Sequence, residues 1–178
     1  MISGHQESAL LIPISGLDQF VDRWRLELDP ARQRAIPTHV TVLYPFVPPD
    51  ALTTEIIEQL RNLFVDVQVF PIKFSESKWF DETVLYLTPD PDSMFRQLTA
   101  MTVAAFPDYP PYEGRHPDLT PHLTLANSAD KDRSRAAELD IVSHLPTATV
   151  ADRAWLMTGP KVSGSWKIHT EFLFRRRD

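Results

Sequence analysis

A tripeptide of the form His-x-Thr occurs twice in this chain, as His39-Val40-Thr41 and as His122-Leu123-Thr124, each inside a short apolar, β-branched run. A strand repeats every two residues, so each tripeptide sets an imidazole and a hydroxyl side by side on one face. In the first run His39, Thr41 and Leu43 share a face opposite Val40, Val42 and Tyr44; in the second His122, Thr124 and Ala126 oppose Leu123, Leu125 and Asn127. The aliphatic faces have an obvious use, packing on helices. The His/Thr faces do not, and the two tripeptides lie 83 positions apart in a chain of 178 residues, close to half its length.

The pattern around each tripeptide repeats as well. Ala9 to Ile14 reads as a strand, and Leu17, Phe20, Val21, Trp24 and Leu28 recur at the spacing of an amphipathic helix. A loop, Asp29 to Pro37, leads into a strand over Thr38 to Tyr44 that Pro45, Pro48 and Pro49 stop. Asp50 is the expected N-cap of a helix turning Leu52, Ile56, Leu60 and Leu63 inward, with strands following at Val67 to Phe74 and Thr83 to Leu87. The second half runs in the same order. Asp90 and Pro91 open a helix carrying Met94, Leu98, Met101 and Ala105, and a proline-rich loop, Pro107 to Leu119, leads to a strand over Thr120 to Ala126. A charged helix from about Asp130 to His144, ended by Pro146, precedes two closing strands, Thr147 to Met157 and Ser165 to Phe174. Units of this length are too long for a solenoid. They predict a single duplicated domain over 1–178 with lobes at 1–82 and 83–178, strands open to exchange between them, facing each other across a cleft of the kind that holds small ligands.

Composition narrows the partners. A formal charge of −6 disfavours a sequence-independent grip on an extended nucleic-acid duplex, which rests on many Lys and Arg contacts. A small phosphorylated ligand or a polynucleotide end stays compatible, and Arg175-Arg176-Arg177 reads as a solvated terminus. With no cysteine, disulfides, thiolate-bound zinc and cysteine nucleophiles are excluded. Ala9 to Ile14 is too short to span a membrane and lacks a signal peptide's basic flank, so the expectation is a cytoplasmic monomer.

Two His/Thr pairs on one phosphate supply two proton carriers and two hydroxyl donors, the residue set of phosphodiester chemistry. Near them, the Pro107 to Leu119 loop carries Tyr109, Tyr112 and Arg115, and the first loop carries Arg32 and Arg34. Tyr44, Tyr112 and Arg115 are the candidate substrate contacts, with a lid bearing aromatic platforms and a proline-stiffened surface loop both open as readings. Trp79 and Phe80, near a turn expected at Ser77 to Glu82, read as core cover, with base stacking as the competing role. His169 reads as a residue of a solvated strand face, His144 as a last-turn cation suited to the helix dipole, His5 as part of a frayed terminus, and His116 as a loop residue close to the second motif.

Three other classes compete. A metal enzyme would draw on His39, His122, His116 and Asp118, but no His-x-x-x-His or carboxylate pair at ligand spacing accompanies the motifs, so no metal or other cofactor is assigned. A non-catalytic module would hold a nucleotide or RNA end in the same cleft without turnover. A purely structural protein would use both pairs as core hydrogen bonds and leave their matching placement unexplained.

The segments Thr38-His39-Val40-Thr41-Val42-Leu43-Tyr44-Pro45-Phe46 and Pro121-His122-Leu123-Thr124-Leu125-Ala126, in two half-chain modules, resemble the two-histidine (2H) phosphoesterase superfamily, which includes bacterial RNA 2′,3′-cyclic phosphodiesterases, also called 2′-5′ RNA ligases. The first motif continues Leu43-Tyr44-Pro45-Phe46 where the RNA ligase branch runs into leucine, phenylalanine and glycine, so the resemblance is to the superfamily. It implies a bilobal α+β fold with two antiparallel sheets lining a central cleft, helices outside, and metal-independent opening of a 2′,3′-cyclic phosphate on a nucleotide or RNA 3′ end, with 2′-5′ ligation as the reverse reaction. His39 would then donate a proton, His122 accept one, and Thr41 and Thr124 hold the phosphate oxygens.

Overall fold

The computed structural model describes residues 6–115, 119–162 and 164–176; His5, His116, Asp118 and Arg177 lie outside them. Eight strands form two four-stranded antiparallel sheets in an α+β arrangement. The strands are β1 (Gln6–Pro13), β2 (His39–Leu43), β3 (Phe70–Phe80), β4 (Val84–Asp90), β5 (Leu123–Asn127), β6 (Thr147–Ala151), β7 (Arg153–Pro160) and β8 (Lys167–Leu173). One sheet runs β2-β1-β7-β8 and the other β5-β4-β3-β6. Position by position, β2 corresponds to β5, β1 to β4 and β7 to β3.

Strands cross the line at residue 82. β3 follows β2 in sequence, yet it joins the sheet of β4 and β5; β7 follows β5, yet it joins the sheet of β1 and β2. The stretch up to residue 82 gives β3 to the sheet of β4 and β5, and the stretch after it gives β7 and β8 to the sheet of β1 and β2. The expected single strand from Thr147 to Met157 is two strands in two sheets, β6 and β7, separated by Asp152. At Asp152 the inward-facing positions change parity, from Thr147, Thr149 and Ala151 to Ala154 and Leu156. Asp152 turns the chain across: its carbonyl accepts the Phe174 N–H at 2.8 Å and its carboxylate accepts from the Arg153 guanidinium at 2.8 and 3.0 Å.

Other boundaries move for local reasons. Ser77 to Phe80 belong to β3, because an irregularity between Phe74 and Ser77 resets its register on β4; the turn is confined to residues 81–83, with Asp81 and Glu82 left-handed at φ 47° and 60°. Asp50 sits in a 3₁₀ turn, Pro49–Ala51, and the helix α3 (Thr54–Phe64) is capped instead by Thr53, whose hydroxyl accepts the Ile56 N–H at 3.4 Å. Of the helices named here, α1 is Asp18–Leu28, α2 Pro30–Gln33, α4 Ser93–Ala105 and α5 Lys131–Val142. The short α2 occupies the loop expected at Asp29 to Pro37, with Pro30 as its first residue and the Asp29 carboxylate accepting the Ala31 N–H at 3.0 Å.

Period two divides the faces of β1. Leu10 and Ile12 enter a large apolar cluster with Val40 and Val42 of β2, Leu123 and Leu125 of β5, and Phe95 and Leu98 of α4. Ala9 and Leu11 enter a smaller one with Ile36, Met157 and Trp166, against which Tyr44 and Trp155 pack. Gly159 is required there: a Cβ on it would lie 2.3 Å from the Trp166 ring. Val40, Val42, Leu123 and Leu125 are buried, while His39, Thr41, His122 and Thr124 alternate with them and are half-buried. No helix among the described residues is long and apolar enough to cross a membrane.

Candidate active site

Both motif histidines are held in the same way. His39 opens β2 and donates from Nδ1 to the Pro37 carbonyl at 2.7 Å; His122, directly before β5, donates from Nδ1 to the Thr120 carbonyl at 2.7 Å. A carbonyl can only accept, so Nδ1 carries the hydrogen in each neutral ring and Nε2 keeps a free lone pair. The two rings feel one another, since charge on His122 disfavours charge on His39.

Their electrical surroundings differ. Burial, then the neighbouring Arg25 cation, push His39 down to about 4; His122 is lowered by burial. Its ring meets Phe80 and Tyr86 edge-on, with centroids 5.1 and 5.5 Å away, and those two stack on each other at 4.0 Å. Phe80 therefore lies against the second motif. Trp79, one residue earlier and on the opposite face, donates to Glu138 of α5 at 2.9 Å under the Arg135 guanidinium.

Arg25 is a residue that sequence reasoning missed. Its side chain is fully buried and donates to Asp29 at 2.7 and 3.0 Å and to the Thr38 hydroxyl at 3.1 Å, while Thr38 donates to Asp18 at 2.6 Å. The network anchors the residue immediately before His39. Its signal was present in the sequence, as an arginine at i+4 from Val21 within the apolar stripe of α1 and with an aspartate four residues on.

Thr41 and Tyr112 are joined by a side-chain hydrogen bond, and the Tyr112 N–H donates to the Tyr44 carbonyl at 2.6 Å. Tyr112 and Glu113 are both left-handed, at φ 50° and 56°, a conformation costing a non-glycine residue about 1–2 kcal/mol. Bonds at the backbone and the phenol hold Tyr112 there, beside the first motif. The Tyr44 ring lies 6.4 Å from Tyr112 and 6.3 Å from Trp166 and donates its hydroxyl to Glu7 at 2.6 Å; burial and Glu7 push its phenol up. Arg115 is exposed and ion-paired with Glu113. Arg32 is engaged by Asp22 at 2.5 and 2.8 Å, and Arg34 by the Lys161 carbonyl at 3.1 Å. Thr124 sits opposite Tyr86 in the β4–β5 pairing. Among the described residues no group of three or more His, Asp or Glu could hold a metal ion.

A family model described as the 2′-5′ RNA ligase superfamily matches residues 13–159. The chain belongs to that superfamily. Both His-x-Thr tripeptides fall inside the match. The chain is similar to a protein of Geobacillus sp. (strain WCH70) named "Putative phosphoesterase", 26% identical over 171 residues that cover 92% of each chain. A like-named protein of Geobacillus kaustophilus (strain HTA426) is 23% identical over 172 residues, 92% of this chain and 93% of that one. Among solved structures, E. coli LigT complexed with 3′-AMP covers 96% of this chain and 98% of its own at TM-score 0.61 and 16% identity. The protein TT0787 of Thermus thermophilus covers 98% and 100% at TM-score 0.64 and 15% identity. The structural likenesses establish the shared fold, and superfamily membership supports phosphoesterase-type activity.

Proposed function

We propose that this superfamily member opens the 2′,3′-cyclic phosphate of a nucleotide or RNA 3′ end without a metal, using His39 and His122 as the acid–base pair. The observation that carries the reading is the matched fixing of the two rings: each spends Nδ1 on a backbone carbonyl two residues back and leaves Nε2 for substrate. Two such nitrogens suit in-line displacement, which needs a base on the attacking side of phosphorus and an acid on the leaving side. One imidazole takes a proton from water as the new P–O bond forms. The other gives its proton to the ribose oxygen as the ring P–O bond breaks, leaving a phosphomonoester. Thr41 and Thr124 donate to the non-bridging oxygens, whose charge must be held through the transition state. Neutral resting rings fit this scheme, because a bound phosphate anion favours protonation of the ring that will act as acid. With an RNA 5′-hydroxyl in place of water, the same step forms a 2′-5′ linkage.

Sulfur in place of the leaving ribose oxygen tests the division of labour, since a thiolate departs without being protonated. Alanine at the donor histidine then becomes nearly harmless, while alanine at the acceptor stays damaging. The resemblance gives the donor's role to His39, so His39→Ala is expected to regain most of its lost rate on the sulfur-bridged substrate and His122→Ala to regain little. Recovery of neither variant, or of both alike, would contradict paired acid–base catalysis.

A further inference from the structure

One cavity is continuous with the motif residues. It has a volume of about 630 Å³ and runs between the outer face of α4 and the segments 110–114 and 119–122, with Thr41 of the first motif and His122 of the second in its wall. That size falls in the range of small-molecule sites. Its walls are chiefly apolar, with Val103, Pro111 and Pro121 beside the Tyr112 ring and Thr99 as a polar group. Two of these walls are fixed in place. Arg96 of α4 donates to the Leu119 carbonyl at 2.7 Å and is itself held by Asp92 at 2.7 Å, so it spans from the helix to the opposite segment. Thr99 donates to the Val42 carbonyl at 2.9 Å, fastening α4 to the strand that carries Thr41. Flat hydrocarbon and ring surfaces with a few polar groups suit a nucleobase and its ribose, and the chain's net charge of −6 gives no comparable hold on a long phosphate backbone.

We infer that this groove binds the terminal nucleoside of the substrate, seating base and ribose against α4 while the attached phosphate lies between the motif residues. The inference rests on the phosphodiesterase reading and adds to it the site that selects the substrate's organic part. Selection then resides in α4 and the segments 110–114 and 119–121, outside both tripeptides.

Ala100 and Ala104 line the groove from the exposed face of α4, so a larger side chain there fills it without entering the core. The full-length protein and its Ala100→Trp and Ala104→Trp variants are compared on adenosine 2′,3′-cyclic phosphate, with inorganic phosphate as competing inhibitor. Phosphate reports on the histidines and threonines alone. The expected result is a rise in KM of about tenfold or more in at least one variant, with kcat less affected and phosphate inhibition unchanged. An unchanged KM in both variants would overturn the groove's role, as would parallel shifts in KM and phosphate inhibition, which signify a distorted centre. Absence of turnover by the unmodified protein would overturn the phosphodiesterase reading and, with it, this one.

Discussion

Alanine in place of either His39 or His122 is expected to lower kcat/KM on a 2′,3′-cyclic nucleotide by about 10²–10⁴-fold, the range associated with loss of one positioned acid or base. Both side chains are half-buried at strand starts and bonded only to a carbonyl two residues back, so the loss should appear in rate and leave the fold intact. The two losses should also fail to add. A double variant close to the worse single one is the mark of two residues acting on one transition state. Steady-state kinetics with far-ultraviolet circular dichroism on each variant checks both parts, and turnover near the unmodified level in either single variant would end the two-histidine account.

The second large effect is on stability. Arg25→Met leaves the Asp29 carboxylate buried without its guanidinium and removes the donor that meets the Thr38 hydroxyl. Breaking a buried pair from one side costs about 3–5 kcal/mol, most of it from the charge left behind. Replacing both partners, as Arg25→Met with Asp29→Leu, should recover much of that loss, apart from the α2 cap that Asp29 supplies to Ala31. Urea denaturation of the single and double variants measures the difference. A single variant within about 1 kcal/mol of the unmodified protein would show that the network contributes little, since that is the ordinary scale of a point change.

How much of this was legible in the sequence follows from what local patterns encode. Period two places His39 with Thr41 and His122 with Thr124 whatever the sheet around them, and the aliphatic residues between them are buried as alternation requires. Strand partners are another matter. Nothing in Phe70–Phe80 or Arg153–Pro160 states which sheet each joins, because backbone pairing carries no residue code and both stretches have apolar faces fit for either neighbour. The break at Asp152 does leave a local mark, the adjacent polar pair Asp152-Arg153 at which the inward positions pass from odd to even, but a bulge within one strand would leave the same mark. Arg25 was overlooked because an arginine on an apolar helix face is ordinarily read as a long side chain reaching for solvent, whereas here Asp29, Thr38 and the Ile36 carbonyl receive it inside. Tyr112 could be nominated from its loop, but its left-handed backbone and its bond to Thr41 depend on where that loop crosses β2. The groove along α4 depends on the same loop path, and so was beyond reach of periodicity.

The most direct measurement is ³¹P nuclear magnetic resonance of the unmodified protein with a 2′,3′-cyclic nucleotide in excess chelator. The account predicts that the five-membered cyclic phosphate resonance gives way to that of a phosphomonoester, with both histidine variants strongly slowed. A cyclic substrate that binds and persists unchanged would contradict it.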